Sequence, residues 1–210
     1  MNKDYIAAAK DALVLIIITL VAGLCLGGIY ELTKEPIAHQ KELAVTESCK
    51  AVFPDEEGFT RVASFELSDA AVSESLTTSL SQSGVTVGNI YKALASDGSI
   101  AGYAVEVTSA EGYGGDIRIM CGLTSEVVLR GISILEIGET AGLGMRAESV
   151  IVPQIHNLDV SEITYTKTGK TYEDEIDAIS GATITTKAFV NMINAALDVC
   201  DEINPVKGDA

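Results

Sequence analysis

Histidine and cysteine are scarce in this chain, and the few present are not spaced for metal chemistry. There are 2 histidines, His39 and His156, and 4 cysteines, none of which forms a Cys-x-x-Cys pair. Zinc and iron–sulfur sites depend on such close pairs. We therefore expect no metal centre built by this chain alone. The sequence also lacks a P-loop, a dinucleotide fingerprint and a Ser-His-Asp set, so nothing in it indicates a complete active site.

Basic residues are few compared with acidic ones. The sequence has 14 Lys and Arg against 30 Asp and Glu, which gives a formal net charge of −16. A strongly acidic surface repels phosphate backbones and anionic lipid headgroups. We therefore expect no nucleic acid among the partners of this protein.

Charge is absent altogether from a long apolar run near the N-terminus, between Ala12 and Tyr30. As a helix at roughly 1.5 Å per residue, this run spans about 28 Å, close to the ~30 Å hydrocarbon core of a bilayer. We predict a short segment over residues 1–11 and a single transmembrane helix over 12–30, embedded in the cell membrane. The run is too long for a cleaved secretory signal, whose apolar core is shorter. A lipoprotein signal does not fit either, because it needs a small residue before the cysteine and Cys25 is preceded by Leu24.

The orientation of this helix is not fixed by flanking charge. Lys3 and Lys10 precede the run, and Lys34 and Lys41 follow it. Since the positive-inside rule depends on an excess of Lys and Arg on one side, it gives no preference here.

The rest of the chain is predicted to be a helical stalk over residues 31–53 and one domain over 54–210, with its core at about 89–203. Strand patterns cover residues 90–95, 100–107, 117–123 and 126–137, and Ser96-Asp97-Gly98 is a hairpin turn signal. Residues 163–172 indicate a second hairpin, and residues 64–83 suit a solvated helix or a loop. An antiparallel sheet with flanking helices belongs to the α+β class.

An amphipathic helix is predicted from near Thr183 to Asn204-Pro205, because apolar residues recur at helical spacing from Ala188 to Cys200. Ser180 and Thr183 are good N-cap types. A helix start stabilises a phosphate by about 0.3 to 1 kcal/mol through the macrodipole, so a hydroxyl in its first turn is well placed to carry a phosphate ester. On spacing alone, a cap and a loop is the favoured explanation, since small hydroxyl residues are common before helices.

The residues before and within the first turn have the pattern Asp-x-x-Ser-Gly-Ala-Thr-x-Thr. This pattern resembles the flavinylation motif of the FMN-binding domain family found in the G subunit of the Rnf complex and the C subunit of the sodium-pumping NADH:quinone reductase. The resemblance implies a covalent phosphoester between FMN and the last threonine, Thr185, made by a flavin transferase that recognises the surrounding residues. The other motif residues are Asp177, Ser180, Gly181, Ala182 and Thr183.

Two glycine-rich loops strengthen the resemblance, since the family typically carries Gly-Tyr-Gly-Gly and Glu-Thr-Pro-Gly-Leu-Gly loops in this order. The first loop here is residues 112–115, and the second, residues 139–144, has Ala141 where the family usually has proline. The resemblance implies that the second loop borders the isoalloxazine ring and that the first lies close by. The implied contacts are Tyr113, Gly114, Glu139, Thr140, Leu143 and Gly144.

By resemblance, the chain is a membrane subunit that passes electrons through a covalent FMN within an ion-translocating ferredoxin:NAD oxidoreductase complex. The domain is then extracytoplasmic, and the partners are the other membrane and peripheral subunits. One alternative is an FMN subunit of a sodium-pumping NADH:quinone reductase or of another flavin-based system. A second is an anchored assembly module without redox function.

Overall fold

The structure is a computed structural model that describes residues 2–204. The chain divides into two units, one ending at Ala44 and one beginning at Val45. The first unit is part of a single helix, α1 (Asn2–Ala51), which continues through Pro36. From Ala12 onward α1 is long and apolar enough to cross a membrane. This helix fits the predicted membrane anchor.

The second unit is built on a five-stranded antiparallel sheet with strand order β1-β2-β3-β4-β5, which confirms the predicted α+β class. The first two predicted strands are confirmed as a hairpin, with Gly98 at a φ of +82° in its turn. Residues 64–83 hold most of β1 and all of α2, so they contribute to the sheet instead of forming only a helix or loop. The strands and the helix between the first two are β1 (Val62–Leu67), α2 (Glu74–Gln82), β2 (Val85–Ala95), β3 (Ile100–Ser109), β4 (Ile117–Thr124) and β5 (Leu129–Ile137).

The main core lies between one face of this sheet and α4 (Thr183–Ile203). Because side chains alternate along a strand, Val105, Ile119 and Cys121 point to this face and meet Phe189 and Met192 of α4. All five side chains are fully buried. The helix predicted from the spacing of apolar residues is therefore confirmed, and its first turn is held on the core of the domain.

The opposite face of the sheet is covered by the last turn of α1. Cys49 and Val52 pack there against Ala104 and Met120. The close approach requires Gly122, since a Cβ at that position would lie 2.5 Å from the carbonyl oxygen of Val52. The sheet is thus enclosed on both faces.

Arg130 of β5 binds the segment that follows α1. This arginine is buried, with 2% of its surface exposed. Its guanidinium lies 3.5 Å from the centroid of the Phe59 ring and donates to the carbonyl oxygen of Pro54 at 2.8 Å. It also forms an ion pair with Glu56 at 3.4 Å. The side chain of Asn157 donates to the same Glu56 carboxylate at 2.8 Å. This hydrogen bond, followed by the charges of His156 and Arg130, lowers the pKa of Glu56.

The hairpin predicted over residues 163–172 is wrong. β6 (Thr164–Thr166) pairs in parallel with β7 (Glu175–Asp177). The intervening loop is closed by side chains of β7, because the Glu175 carboxylate accepts the N–H of Thr171 at 2.9 Å and Asp177 accepts that of Lys170 at 2.7 Å. Between β5 and β6 lie a short helix, α3 (Ala147–Val150), and the 3-10 turns Gly144–Arg146 and Val152–Gln154.

Candidate functional site

Glu139 joins the two glycine-rich loops. Its Oε1 atom accepts the backbone N–H of Tyr113 at 2.7 Å. Gly144 packs against the same side chain so closely that a Cβ there would lie 2.6 Å from Oε2 of Glu139. The carboxylate therefore holds loop 112–115 to loop 139–144.

Loop 139–144 contains a tight turn over residues 140–143. Leu143 donates its N–H to the carbonyl oxygen of Thr140 at 3.1 Å, and Gly142 has a φ of +76°. A positive φ at the third residue is typical of a type II turn, which favours glycine there and proline at the second position. Ala141 occupies that second position. The Leu143 side chain lies next to Gly181. A Cβ added to Gly181 would lie 3.2 Å from Cδ2 of Leu143.

These two loops and the start of α4 enclose an open cavity of about 520 Å³. Its volume lies within the range of roughly 300 to 1,000 Å³ found for small-molecule sites, and its wall combines apolar side chains with a few polar groups, as such sites do. The lining residues are Tyr113, Glu139, Thr140, Leu143, Gly144, Gly181, Ala182, Thr183, Ile184 and Thr185.

Two adjacent threonines at the start of α4 have different environments. The Thr186 hydroxyl accepts the N–H of Ile179 at 3.1 Å and donates to the carbonyl oxygen of Ala182 at 2.9 Å. Thr185 is 1% exposed and lines the cavity, and its hydroxyl has no hydrogen-bond partner among residues 2–204. The Thr185 hydroxyl is therefore available to a group that occupies the cavity.

Backbone donors lie at the same place. The first hydrogen bond of α4 runs from Thr186 N–H to the carbonyl oxygen of Ala182. Within the part of the chain that the structure describes, the N–H groups of Thr183, Ile184 and Thr185 have no acceptor, as expected for a helix start. All three residues line the cavity. A helix of this length with free N–H groups is suited to bind a phosphate.

Three of the predicted site residues do not line the cavity. Asp177 lies in β7, where its backbone N–H donates to Gln154 at 2.7 Å and its carboxylate holds the loop after β6. Ser180 is exposed in the turn before α4, and Gly114 packs its backbone against Gly138. These residues shape the chain around the site.

The helix start also differs from the prediction in its cap. Ala182 is the N-cap residue and makes no side-chain cap bond, so neither Ser180 nor Thr183 acts as the cap. Thr186 takes over the side-chain role from within the first turn, because its hydroxyl reaches back to Ile179. Sequence analysis also missed Ile184, which lines the cavity while 52% exposed. Thr186 and Ile184 both fall in the first turn of a helix that begins at Thr183, and this position is the sequence signal that identifies them.

The other chemistry-bearing groups lie elsewhere. A second cavity of about 560 Å³ is lined by the end of α1, by β1 and by Tyr91, and contains none of the motif residues. Cys121 and Cys200 are buried in the main core, and burial raises the pKa of the Cys200 thiol to about 12. Among the described residues, no group of three or more His, Cys, Asp or Glu could hold a metal ion.

Residues 112–198 match the model of the FMN-binding domain family. This segment contains both glycine-rich loops and the start of α4, so it includes every residue that lines the smaller cavity. The solved structure of NqrC from Shewanella oneidensis is similar to this chain, with a TM-score of 0.46 and 16% sequence identity. The match covers 58% of this chain and 61% of NqrC.

Curated relatives match over regions of different length. The chain is 33% identical over 111 residues to the G subunit of the Na(+)-translocating ferredoxin:NAD(+) oxidoreductase complex of Acetobacterium woodii, covering 52% of this chain and 54% of that protein. It is 40% identical over 105 residues to the G subunit of the ion-translocating oxidoreductase complex of Haemophilus influenzae, covering 45% and 48%. The chain thus spans about half the length of these two relatives. With the corresponding G subunit of Methanosarcina acetivorans, 28% identity extends over 191 residues, or 90% and 92%.

Proposed function

Since this chain is a homologue of the G subunits of ion-translocating oxidoreductase complexes and contains an FMN-binding domain, we propose that it is a covalently flavinylated electron carrier. In this proposal the FMN phosphate is esterified to Thr185. The flavin ring occupies the cavity between the glycine-rich loops and α4.

The observation that carries the proposal is the environment of the Thr185 hydroxyl. Ser180 lies outside the cavity, and the Thr186 hydroxyl is already engaged at both of its hydrogen-bonding functions. Thr183 also lines the cavity, but the last threonine of the motif is the one that the family resemblance identifies as the acceptor. At 1% exposure, the Thr185 side chain is shielded from bulk water.

The residues around the cavity suit FMN. The free N–H groups at the start of α4 bind phosphate oxygens, and the helix dipole stabilises their charge. Leu143 and Ile184 offer apolar surface to a flat ring, and Gly144 and Gly181 keep the wall free of side chains. When bound, FMN supplies the electron-transfer chemistry, while the chain positions it and tunes its electronics.

The relatives and the apolar helix α1 support a membrane setting for this chain. We infer that α1 anchors the chain in the cell membrane, that the domain is extracytoplasmic, and that the partners are the other subunits of an ion-translocating ferredoxin:NAD oxidoreductase complex. In this proposal the chain passes electrons between partner centres, and residues 2–204 do not form a complete active site by themselves. A flavin transferase attaches the FMN and reaches Thr185 through the open mouth of the cavity.

Intact-protein mass spectrometry tests the proposal. The full chain is co-expressed with a flavin transferase, and protein expressed without the transferase is the control. The expected result is a mass gain of one FMN less one water, mapped to the peptide that contains Thr185, together with in-gel flavin fluorescence after denaturation. Absence of an adduct under these conditions would overturn the proposal and favour a non-redox assembly module.

A further inference from the structure

We propose that the Glu139 carboxylate lowers the reduction potential of the flavin by placing an uncompensated negative charge in the cavity wall. This inference rests on the proposed function. It adds an electrostatic role for a residue whose contacts would otherwise be explained by loop structure alone.

The ion pairs of the domain set Glu139 apart. Among the residues whose burial the structure describes, the buried charged ones are Glu106, Arg130 and Glu139. Glu106 is paired with Arg118 at 3.0 Å, and Arg130 is paired with Glu56 at 3.4 Å. Glu139 is 7% exposed and forms no ion pair with any residue in the range 2–204.

An unpaired buried charge is costly, so the surrounding structure must accommodate it. Here the Tyr113 N–H donates to Oε1 at 2.7 Å. Two glycines leave room for the side chain, because a Cβ on Gly112 would lie 3.0 Å from Oε1 and one on Gly144 would lie 2.6 Å from Oε2. The carboxylate is thus held at one position in the wall that the flavin ring faces.

A fixed negative charge at this position opposes reduction. Electrons that the flavin accepts without an equal number of protons add negative charge to the cavity, and Coulomb repulsion is weakly screened where the wall excludes water. The oxidised form is therefore favoured, and the potential falls relative to the same site with a neutral side chain.

Glu139→Gln separates this electrostatic role from a structural one. Glutamine keeps the side-chain length and an oxygen that accepts the Tyr113 N–H, but it carries no charge. A residue that only joins the two loops should leave the potential unchanged when it is replaced in this way.

The experiment is a spectroelectrochemical titration of the full chain, loaded with FMN by a co-expressed flavin transferase. Glu148→Gln is the matched control, since Glu148 is exposed on α3 and does not line the cavity. We expect an upward shift of the midpoint potential for Glu139→Gln and the wild-type value for Glu148→Gln. A flavin-loaded Glu139→Gln protein with the wild-type potential would overturn the inference and leave the proposed function intact. If the wild-type chain carries no flavin adduct, the proposed function itself fails.

A second variant covers the case in which Glu139→Gln does not retain flavin. Thr140 is exposed and lines the same cavity next to Glu139, so Thr140→Lys introduces a cation beside the carboxylate. The lysine should raise the potential by compensating the charge. An unchanged potential in flavin-loaded Thr140→Lys would contradict the inference.

Discussion

Thr185 and Thr186 are neighbours in the first turn of α4, yet only the Thr185 hydroxyl lacks a hydrogen-bond partner among residues 2–204. Thr186 bonds the N–H of Ile179 at 3.1 Å and the carbonyl oxygen of Ala182 at 2.9 Å, whereas Thr185 faces the cavity. One hydroxyl stabilises the helix start and the other is available for chemistry. Replacing each threonine with valine in turn therefore tests the two roles separately.

Thr185→Val should abolish flavin attachment and leave the domain folded. Valine keeps the β-branched shape, and the lost hydroxyl has no hydrogen-bond partner in the described part of the chain, so the free energy of unfolding should stay the same or rise slightly. Intact mass reports attachment, and circular dichroism with denaturant titration reports folding. An FMN adduct on the variant would contradict the assignment.

Thr186→Val should have the opposite result. It leaves the buried N–H of Ile179 without an acceptor, which costs about 1 to 3 kcal/mol of unfolding free energy. The acceptor Thr185 is retained, so the adduct should still form on folded protein. The pair of variants distinguishes loss of the acceptor from loss of the helix start, and equal stability losses in the two would refute the distinction.

Gly144→Ala should impair flavin loading. The added Cβ would lie 2.6 Å from Oε2 and 2.7 Å from Cβ of Glu139, so the loop must move, at a cost of about 1 to 3 kcal/mol. Gly138→Ala is the control, because its Cβ would meet only the Gly114 carbonyl oxygen at 3.7 Å. The yield of FMN adduct measures the effect, and equal yields from the two variants would contradict the crowding argument.

Ala141→Pro should stabilise the domain by about 0.4 to 1 kcal/mol, because proline restricts the unfolded chain at a turn position that accepts it. The Ala141 N–H donates no hydrogen bond in the described structure, so none is lost. A thermal melt of the full chain in detergent measures the change, and a lower melting temperature would show that the turn is not of type II.

Glu56→Gln should destabilise the domain at neutral pH and have less effect in acid. The folded-state pKa of Glu56 is lowered, chiefly by the hydrogen bond from Asn157. Its contribution to stability is therefore present above the unfolded pKa of about 4.3 and is lost as the pH falls through the folded value. Denaturant titrations from pH 7 to pH 3 should show the wild-type advantage shrinking. Glu57→Gln, at an exposed neighbour, should show no comparable trend.

The sequence predicted the elements whose pattern is local. The spacing from Ala188 to Cys200 predicted α4, and Ser96-Asp97-Gly98 predicted the turn between β2 and β3. The cavity wall was predicted from the family resemblance, because no periodicity tells which loops meet. Most of the implied contacts line one cavity, and Asp177, Ser180 and Gly114 do not.

The errors arose where specific side-chain hydrogen bonds, four to seven residues apart in sequence, shape the chain. In place of the hairpin predicted after Ile163, β6 and β7 pair in parallel, and the carboxylates of Glu175 and Asp177 bond N–H groups in the loop between them. The predicted N-cap fails because the hydroxyl that braces the start of α4 comes from Thr186, inside the helix. Propensity rules assign secondary structure from residue type alone and contain no information about these hydrogen-bond partners.

The first turn of α4 is continuous with the part of the helix that fills the core. Phe189, Met192 and Ile193 are fully buried within three turns of Thr185. Core helices open only with free energies close to that of global unfolding, whereas loops open far more readily. The hydrogen-bonded amides in the buried middle of α4 should therefore exchange with solvent as slowly as any in the domain, unlike the unbonded N–H groups of Thr183, Ile184 and Thr185. A group bonded to Thr185 is tied to the last part of the protein to come apart.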